Sequence, residues 1–314
     1  MTTGIKDIAE KLLSYDEYMI HFHKDPDGDA VGSAYALALA LQSAGKKCNV
    51  CCSDEVPSVY RYLTDRFIPD KVVSPVNIAV DSAAPDRLGR FSDEKIVINI
   101  DHHYPNTIDA ECSFSDPKAA ACCEIVYDII RELGTEITPF MADFLYTGIA
   151  TDTYCFRSYS LRQRTFEICA ELASLGANIV GVSRHHFMSK TRERMMVEKK
   201  FTDSFRYFHN NEILCGIITL DDIEKANIDE CELEGINSVT ERITGVLIGI
   251  TVRQKPDGRC RVSVHTNNGI DASLICSRLG GGGHADAAGC EYFGTPDEAA
   301  DAIVKECIAA LDSL

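Results

Sequence analysis

Through its first half the chain alternates short apolar or β-branched runs with stretches of helical period. "YMIHF" (18–22) leads to "GSAYALALALQSAG" (32–45), and "KKCNVCC" (46–52), "NIAV" (77–80) and "KIVINI" (95–100) follow. "AAACCEIVYDIIREL" (119–133) and "PFMADFLYTGIAT" (139–151) then return to helical spacing. This alternation predicts an α/β domain whose mostly parallel, doubly wound sheet is flanked by helices.

Acidic and imidazole groups gather where these strands end. "HKDPDGDAVGS" (23–33) follows the first run and carries His23, Asp27 and Asp29; Asp81 closes "NIAVD"; Asp101, His102 and His103 close "KIVINIDHH". In a doubly wound sheet the carboxyl ends of the strands share one edge, where such folds bind ligands. Asp152, in "YTGIATDTYCF" at the end of a helical stretch, is a fourth candidate. Taken singly, "DPDGD" reads as a surface turn and Asp152 as a solvated cap. Taken together, they put several like charges in one place, where they repel unless something positive offsets them, the candidates being bulk water, a helix N-terminus or a metal.

At 314 residues the chain is long enough for two cores. It has 31 basic and 48 acidic residues, a net charge of −17, which disfavours tracking along duplex nucleic acid because such binding neutralises many phosphates. The 14 cysteines are scattered and several lie inside apolar runs, so they read as buried reduced thiols. Cys48 and Cys51 form one CxxC, but on a strand they face opposite sides and there is no second pair, so a zinc site is rejected. No apolar run reaches membrane-spanning length, and "MTTGIKDIAEKLL" reads as a helix and not a signal peptide; a cytoplasmic location and no membrane partner are expected.

Histidine with four or five carboxylates suits Mn²⁺ or Mg²⁺ better than zinc, and the group exceeds what one ion needs. Two ions about 3.5–4 Å apart form the usual arrangement for in-line attack on phosphorus.

"HKDPDGDAVGS", "VDSA", "DHH" and "GIATDT" resemble, in order, the four motifs of the DHH phosphoesterase superfamily, and "GGGGHADAAG" (280–289) resembles the signature of the accompanying DHHA1 domain. The two-domain length is similar to the nanoRNase/pAp-phosphatase group. RecJ-type exonucleases carry additional domains, and family II pyrophosphatases lack the Gly-rich histidine motif. The resemblance implies a DHH catalytic domain over 1–188, a helical linker over 189–208 and a smaller α/β DHHA1 domain over 209–314, with the active site in the cleft between them. It implies that His23 and Asp27 hold one Mn²⁺ (Mg²⁺ or Co²⁺ being alternatives), that Asp29, His102 and Asp152 hold the other, and that Asp81 bridges. His103 then faces the scissile phosphate and Asp101 orients the imidazoles. The implied activity is hydrolysis of short oligonucleotides, of linear dinucleotides such as pApA or pGpG, or of pAp. A cyclic-dinucleotide phosphodiesterase, or a nucleotide-binding sensor without turnover, is the alternative. The oligomeric state, with a homodimer as one option, stays open.

In the second half, "MSKTRERMMVEKKF" (188–201) reads as a helical connection, and "EILCGIITL", "GVLIGITVRQ" and "RCRVSVHT" read as strands alternating with helices "DASLICSRL" and "PDEAADAIVKECIAAL". The expected substrate contacts are Gly281, Gly282, Gly283 and His284, with His265 and Arg278; the glycines let backbone amides approach an anion, and a helix is expected to follow them. Three departures from the family pattern bear on specificity. His265 stands where an arginine is usual, Tyr154 stands where "TDTG" ends in glycine, and Asp286 puts an acid inside the Gly-rich motif.

Overall fold

The computed structural model describes residues 4–158, 160–228, 230–233, 235–267 and 269–313. They form two compact units, Met1–Ser189 and Lys190–Leu314.

The first unit runs α1 (Ile5–Leu13), β1 (Glu17–His21), α2 (Gly28–Ser43), β2 (Lys47–Cys51), α3 (Arg61–Thr64), β3 (Val76–Val80), β4 (Ile96–Asp101), β5 (Ala110–Ser115), α4 (Cys122–Glu132), α5 (Pro139–Asp152), α6 (Gln163–Ser174) and α7 (Ile179–Ser183). A π-helical turn, Arg184–Met188, follows α7. The five strands are all parallel in the order β2-β1-β3-β4-β5. The chain leaves β1 to one side for β2 and to the other for β3, so the switch point lies between β1 and β3. Ile78, Val80, Ile98 and Ile100 join α2, α4 and α5 in the main core. A smaller cluster of Ala79, Leu88, Ile96 and Ile108 forms around the 3₁₀ segment Pro85–Phe91.

Helices α2 and α5 are apolar almost all round, as befits helices buried on most sides. Their backbones approach closely because small residues line the contact. A Cβ on Gly28 would strike Thr151, one on Gly32 would lie 2.5 Å from the Phe144 carbonyl oxygen, and one on Gly148 would strike Cys123 and lie 2.8 Å from Asp29 Oδ1. This approach brings the end of α5, and Asp152 with it, to the carboxyl edge of the sheet.

The second unit runs α8 (Arg192–Asp203), β6 (Arg206–Phe208), β7 (Ile213–Ile218), α9 (Leu220–Ala226), α10 (Ser238–Glu241), β8 (Ile248–Gln254), β9 (Arg259–Thr266), α11 (Ala272–Ser277), β10 (Gly282–Gly283), β11 (Ala287–Phe293) and α12 (Pro296–Leu311). Its sheet order is β10-β11-β9-β8-β7-β6, parallel between β7 and β8 and antiparallel elsewhere. The stretch 189–208, expected as a helical linker, is helical only over Arg192–Asp203 and ends in the edge strand β6. Val197 and Phe201 of α8 are buried against Ile218 and Ile236, so this helix belongs to the core of the second unit.

The expected helix after the glycines is replaced by a β10–β11 hairpin. "AAGCEYF" alternates its burial along β11 and pairs with β9 over its whole length, which commits it to a strand. Most described cysteines are buried, and all of them are free thiols. Among the described residues no single helix is long and apolar enough to cross a membrane.

Candidate metal centre

The ends of β1, β3 and β4 each deliver a different part of one cluster. Asp27 is the N-cap of α2: its Oδ1 accepts from the Asp29 and Ala30 amides at 3.0 Å, and its Oδ2 lies 3.6 Å from His23 Nε2. One oxygen thus anchors the helix while the other faces the site. Asp29, 1% exposed, is held by the start of α4, its oxygens accepting from the Cys122 amide at 2.5 Å and the Cys123 amide at 2.9 Å.

Asp81 follows β3 in the left-handed region, with φ 51°, a conformation that costs about 1–2 kcal/mol for a non-glycine residue. Its side chain is 2% exposed and reaches two neighbourhoods: Oδ2 is 3.6 Å from His23 Nε2, and Oδ1 is 3.5 Å from His102 Nε2 and 3.6 Å from His103 Nδ1. Asp81 Oδ1 is buried and has no hydrogen-bond partner. His102 Nε2 also lies 3.7 Å from Asp29 Oδ2 and 3.7 Å from Asp152 Oδ2.

The second nitrogens of the rings decide what these distances mean. His102 Nδ1 lies 3.2 Å from the Ala119 carbonyl and His23 Nδ1 lies 2.7 Å from the Lys24 carbonyl. A carbonyl only accepts, so both Nδ1 atoms donate, and in its neutral form each ring presents an Nε2 lone pair to carboxylates. The gaps of 3.5–3.7 Å are too long for hydrogen bonds and bring acceptor against acceptor, which is the donor set of a cation site. Arg87 brings its guanidinium 3.1 Å from the same His23 nitrogen. In this tautomer that is a contact between two donors, so Arg87 places a fixed positive charge at the rim instead of making a hydrogen bond.

The electrostatics agree with this geometry. Burial opposes charge on His23, yet Asp27 and Asp81 outweigh it and push the imidazole up to about 11. Burial likewise opposes charge on His102, but Asp29, Asp81 and Asp152 raise it to about 9. Burial and the Asp81 charge push Asp29 up to about 7, and burial with the Asp29 charge raises Asp152 well above the usual carboxylate range. In the absence of metal, protons are retained where a cation would lie.

His103 and Asp101 are arranged differently. Asp101 is fully buried; its Oδ1 accepts from the His102 amide and from His103 Nδ1, each at 2.8 Å, and its Oδ2 accepts from Asn106 Nδ2 at 2.6 Å. His103 is therefore fixed through Nδ1, with its side chain 45% exposed and Nε2 available for a proton. The hydrogen bond that His103 donates to Asp101 outweighs burial and raises the His103 pKa.

Three sets of potential ligand atoms lie within 4.8 Å of one another: His23, Asp27 and Asp81; Asp29, His102 and Asp152; and Asp81, His102 and His103. All eight candidates of the first unit are accordingly brought together, the six expected ligands together with Asp101 and His103. Sequence reasoning missed Asn106, which donates to Asp101 and to the Ser82 carbonyl and accepts from Asn99, and it missed the α4 amides and Arg87. The buried alanines 119–121 before α4 were the readable signal for the amides, since small residues let that helix start reach Asp29.

The second-unit candidates surround the hairpin. Gly282, Gly283 and His284 are exposed and Gly281 is half-buried. His265 on β9 stands opposite Ala287 on β11, and Arg278 lies 3.3 Å from Glu306. The Gly280, Gly281 and His284 amides donate to Ser277, Cys276 and Ala287, which leaves fewer amides for an anion than the glycine run suggests.

Two family models match, the DHH family N-terminal domain over residues 17–149 and the DHHA1 domain over residues 214–312. The bifunctional oligoribonuclease and PAP phosphatase NrnA of Thermus thermophilus is 32% identical over 299 residues, covering 91% of this chain and 88% of that protein. An exopolyphosphatase-related protein of Bacteroides fragilis shares the fold with a TM-score of 0.87 and 23% identity, covering 98% of this chain and 95% of that one. Exonuclease RecJ bound to manganese shares it with a TM-score of 0.51 and 13% identity, covering 98% and 94%. The matched motifs and the identity across nearly the whole length make this chain a member of the DHH family, in its form with a DHHA1 domain.

Proposed function

We propose that the protein is a two-metal phosphoesterase that hydrolyses short oligonucleotides, linear dinucleotides such as pApA and pGpG, and pAp to mononucleotides. The carrying observation is Asp81, a buried carboxylate whose Oδ2 faces His23 and whose unpartnered Oδ1 faces His102, so that it stands between two histidine-carboxylate groups. His23 and Asp27 would hold one ion, Asp29, His102 and Asp152 the other, with Asp81 shared. The mixed nitrogen and oxygen donors favour Mn²⁺ over a thiolate-selecting metal. The phosphatase named for the Thermus thermophilus relative, and the manganese named for RecJ, support this reading.

Such a pair of divalent cations would supply Lewis-acid polarisation of a phosphoryl oxygen and would lower the pKa of a water toward neutral. The chain does the remainder. His103, fixed by Asp101, holds or delivers a proton at its exposed Nε2. Asp101 keeps that ring in register through Asn106, and Arg87 adds positive charge for an anionic substrate. In the second unit, Gly281, Gly282, Gly283, His284, His265 and Arg278 would offer contacts to a nucleotide.

Purified protein incubated with Mn²⁺ and pAp, pApA, pGpG, cyclic di-AMP or two- to five-nucleotide RNAs tests the reading. Metal-dependent release of mononucleotide from the linear substrates is expected. Hydrolysis of cyclic di-AMP alone would move the assignment to cyclic substrates, and binding without release would make the protein a sensor.

A further inference from the structure

The end of α5 has an unusual backbone. Tyr154, Cys155 and Phe156 have φ values of 49°, 58° and 63°, three successive left-handed residues, none of them glycine. A bulky side chain is rarely found there, and such conformations persist only where their surroundings hold them. The anchors are plain. Thr153 is fully buried, donates to the Ile149 carbonyl at 2.6 Å and accepts from the Phe156 amide at 3.2 Å. The Cys155 amide donates to Ala150 at 2.7 Å, and the Phe156 ring stacks on Phe166 at 5.6 Å.

Thr153 is thus buried and the amides of Cys155 and Phe156 are held, while Tyr154, whose own amide donates to the Thr151 carbonyl at 3.1 Å, is 64% exposed. It stands two residues beyond Asp152, which keeps its ring within ~15 Å of that carboxylate. A single exposed tyrosine needs no explanation. One on left-handed backbone two residues beyond a candidate ligand does, since a glycine would occupy the position without strain.

We propose that Tyr154 is a specificity-determining residue, the aromatic platform on which a nucleobase of the substrate stacks when the attached phosphate is at the metal centre. This rests on the reading above that nucleotides are the substrates. Stacking on an aromatic ring tolerates any base, so the platform favours nucleotides over plain phosphate esters without selecting a sequence. A second exposed tyrosine, Tyr104, follows His103 and is 84% exposed, but it does not have a left-handed backbone and serves as the comparison.

The test is the affinity of the Mn²⁺-loaded protein for AMP relative to ribose 5-phosphate, measured by calorimetry. The wild-type protein should prefer AMP. Tyr154→Gly should reduce that preference by about tenfold while keeping its bound metal, Tyr154→Phe should retain it, and Tyr104→Ala should retain it. Any of three results would overturn the proposal: no AMP preference in the wild type, an undiminished preference in Tyr154→Gly, or loss of bound metal in that variant. Turnover is not the readout, so a protein that bound AMP in this way but hydrolysed no nucleotide would refute the proposed activity and leave the platform standing.

Discussion

Asp29 of the first unit and Gly283 of the second are both motif residues, but they are required for different reasons. Asp29 accepts two helix-start amides and still faces His102, so its identity is set by the site. Gly283 has φ 147°, and a Cβ there would lie 2.7 Å from the Ala287 oxygen and 2.7 Å from the Ala288 Cα, so its identity is set by the hairpin. Asp29, Asp81 and Asp101 of the first unit are buried, and Asp29 and Asp101 are each held by hydrogen bonds before any ligand arrives. The glycines of the second shape a turn, and His284 is the exposed side chain it carries. Clustered buried carboxylates have no structural use that would justify their cost without a cation, whereas clustered glycines can be explained by local packing.

This contrast breaks first at Asp81. Asp81→Asn keeps the size and a residue tolerant of left-handed backbone but removes the charge. Turnover and bound metal should disappear together, measured by mononucleotide release and elemental analysis. Normal activity with two ions per chain would contradict the shared-ligand role.

Asn106 sharpens it from behind. Asn106→Ala leaves every proposed ligand in place but frees Asp101, and through it the His103 ring. Activity should fall by about 10–100-fold with metal content kept. In the second unit, Gly283→Ala should destabilise the hairpin by about 1–3 kcal/mol, seen in thermal unfolding, with no change in bound metal. A fall in metal content would mean that the two units are not separable in this way.

The smallest effect is one of pH. In metal-free protein the raised values of Asp29, His102 and His23 mean that the folded state binds more protons than the unfolded chain. The Asp29 contribution is lost as pH rises from 3.8 to about 7, that of His102 from 6.5 to about 9, and that of His23 from 6.5 to about 11. Metal displaces those same protons, so its benefit grows as pH rises. The melting-temperature difference between Mn²⁺-loaded and chelator-treated protein should therefore widen from pH 6 to 8.5. A constant difference would mean that proton and metal do not compete for this cluster.

Strand ends in the first half were legible because β1, β3 and β4 are apolar runs followed by histidines or acids. Strand β5, "AECSFS", was not: it is a sheet-edge strand with one buried residue and no periodic apolar face. Strand β10 consists of two glycines, which have no side-chain pattern to read. The ligands themselves are acids and histidines and stand out by type, whereas the groups that position them are often backbone amides or amides of asparagine, as at Cys122, Cys123 and Asn106. Such partners become visible only when the fold brings distant segments together, and the expected helix after the glycines failed because its apolar residues alternate along a strand.

The central claim is that the carboxyl edge of the first sheet holds two divalent cations. Anomalous diffraction at the manganese edge from crystals grown with Mn²⁺ tests it directly. Two peaks are predicted, one among His23, Asp27 and Asp81 and the other among Asp29, His102 and Asp152, with Asp81 in contact with both. A single peak, or peaks away from Asp81, would contradict the account.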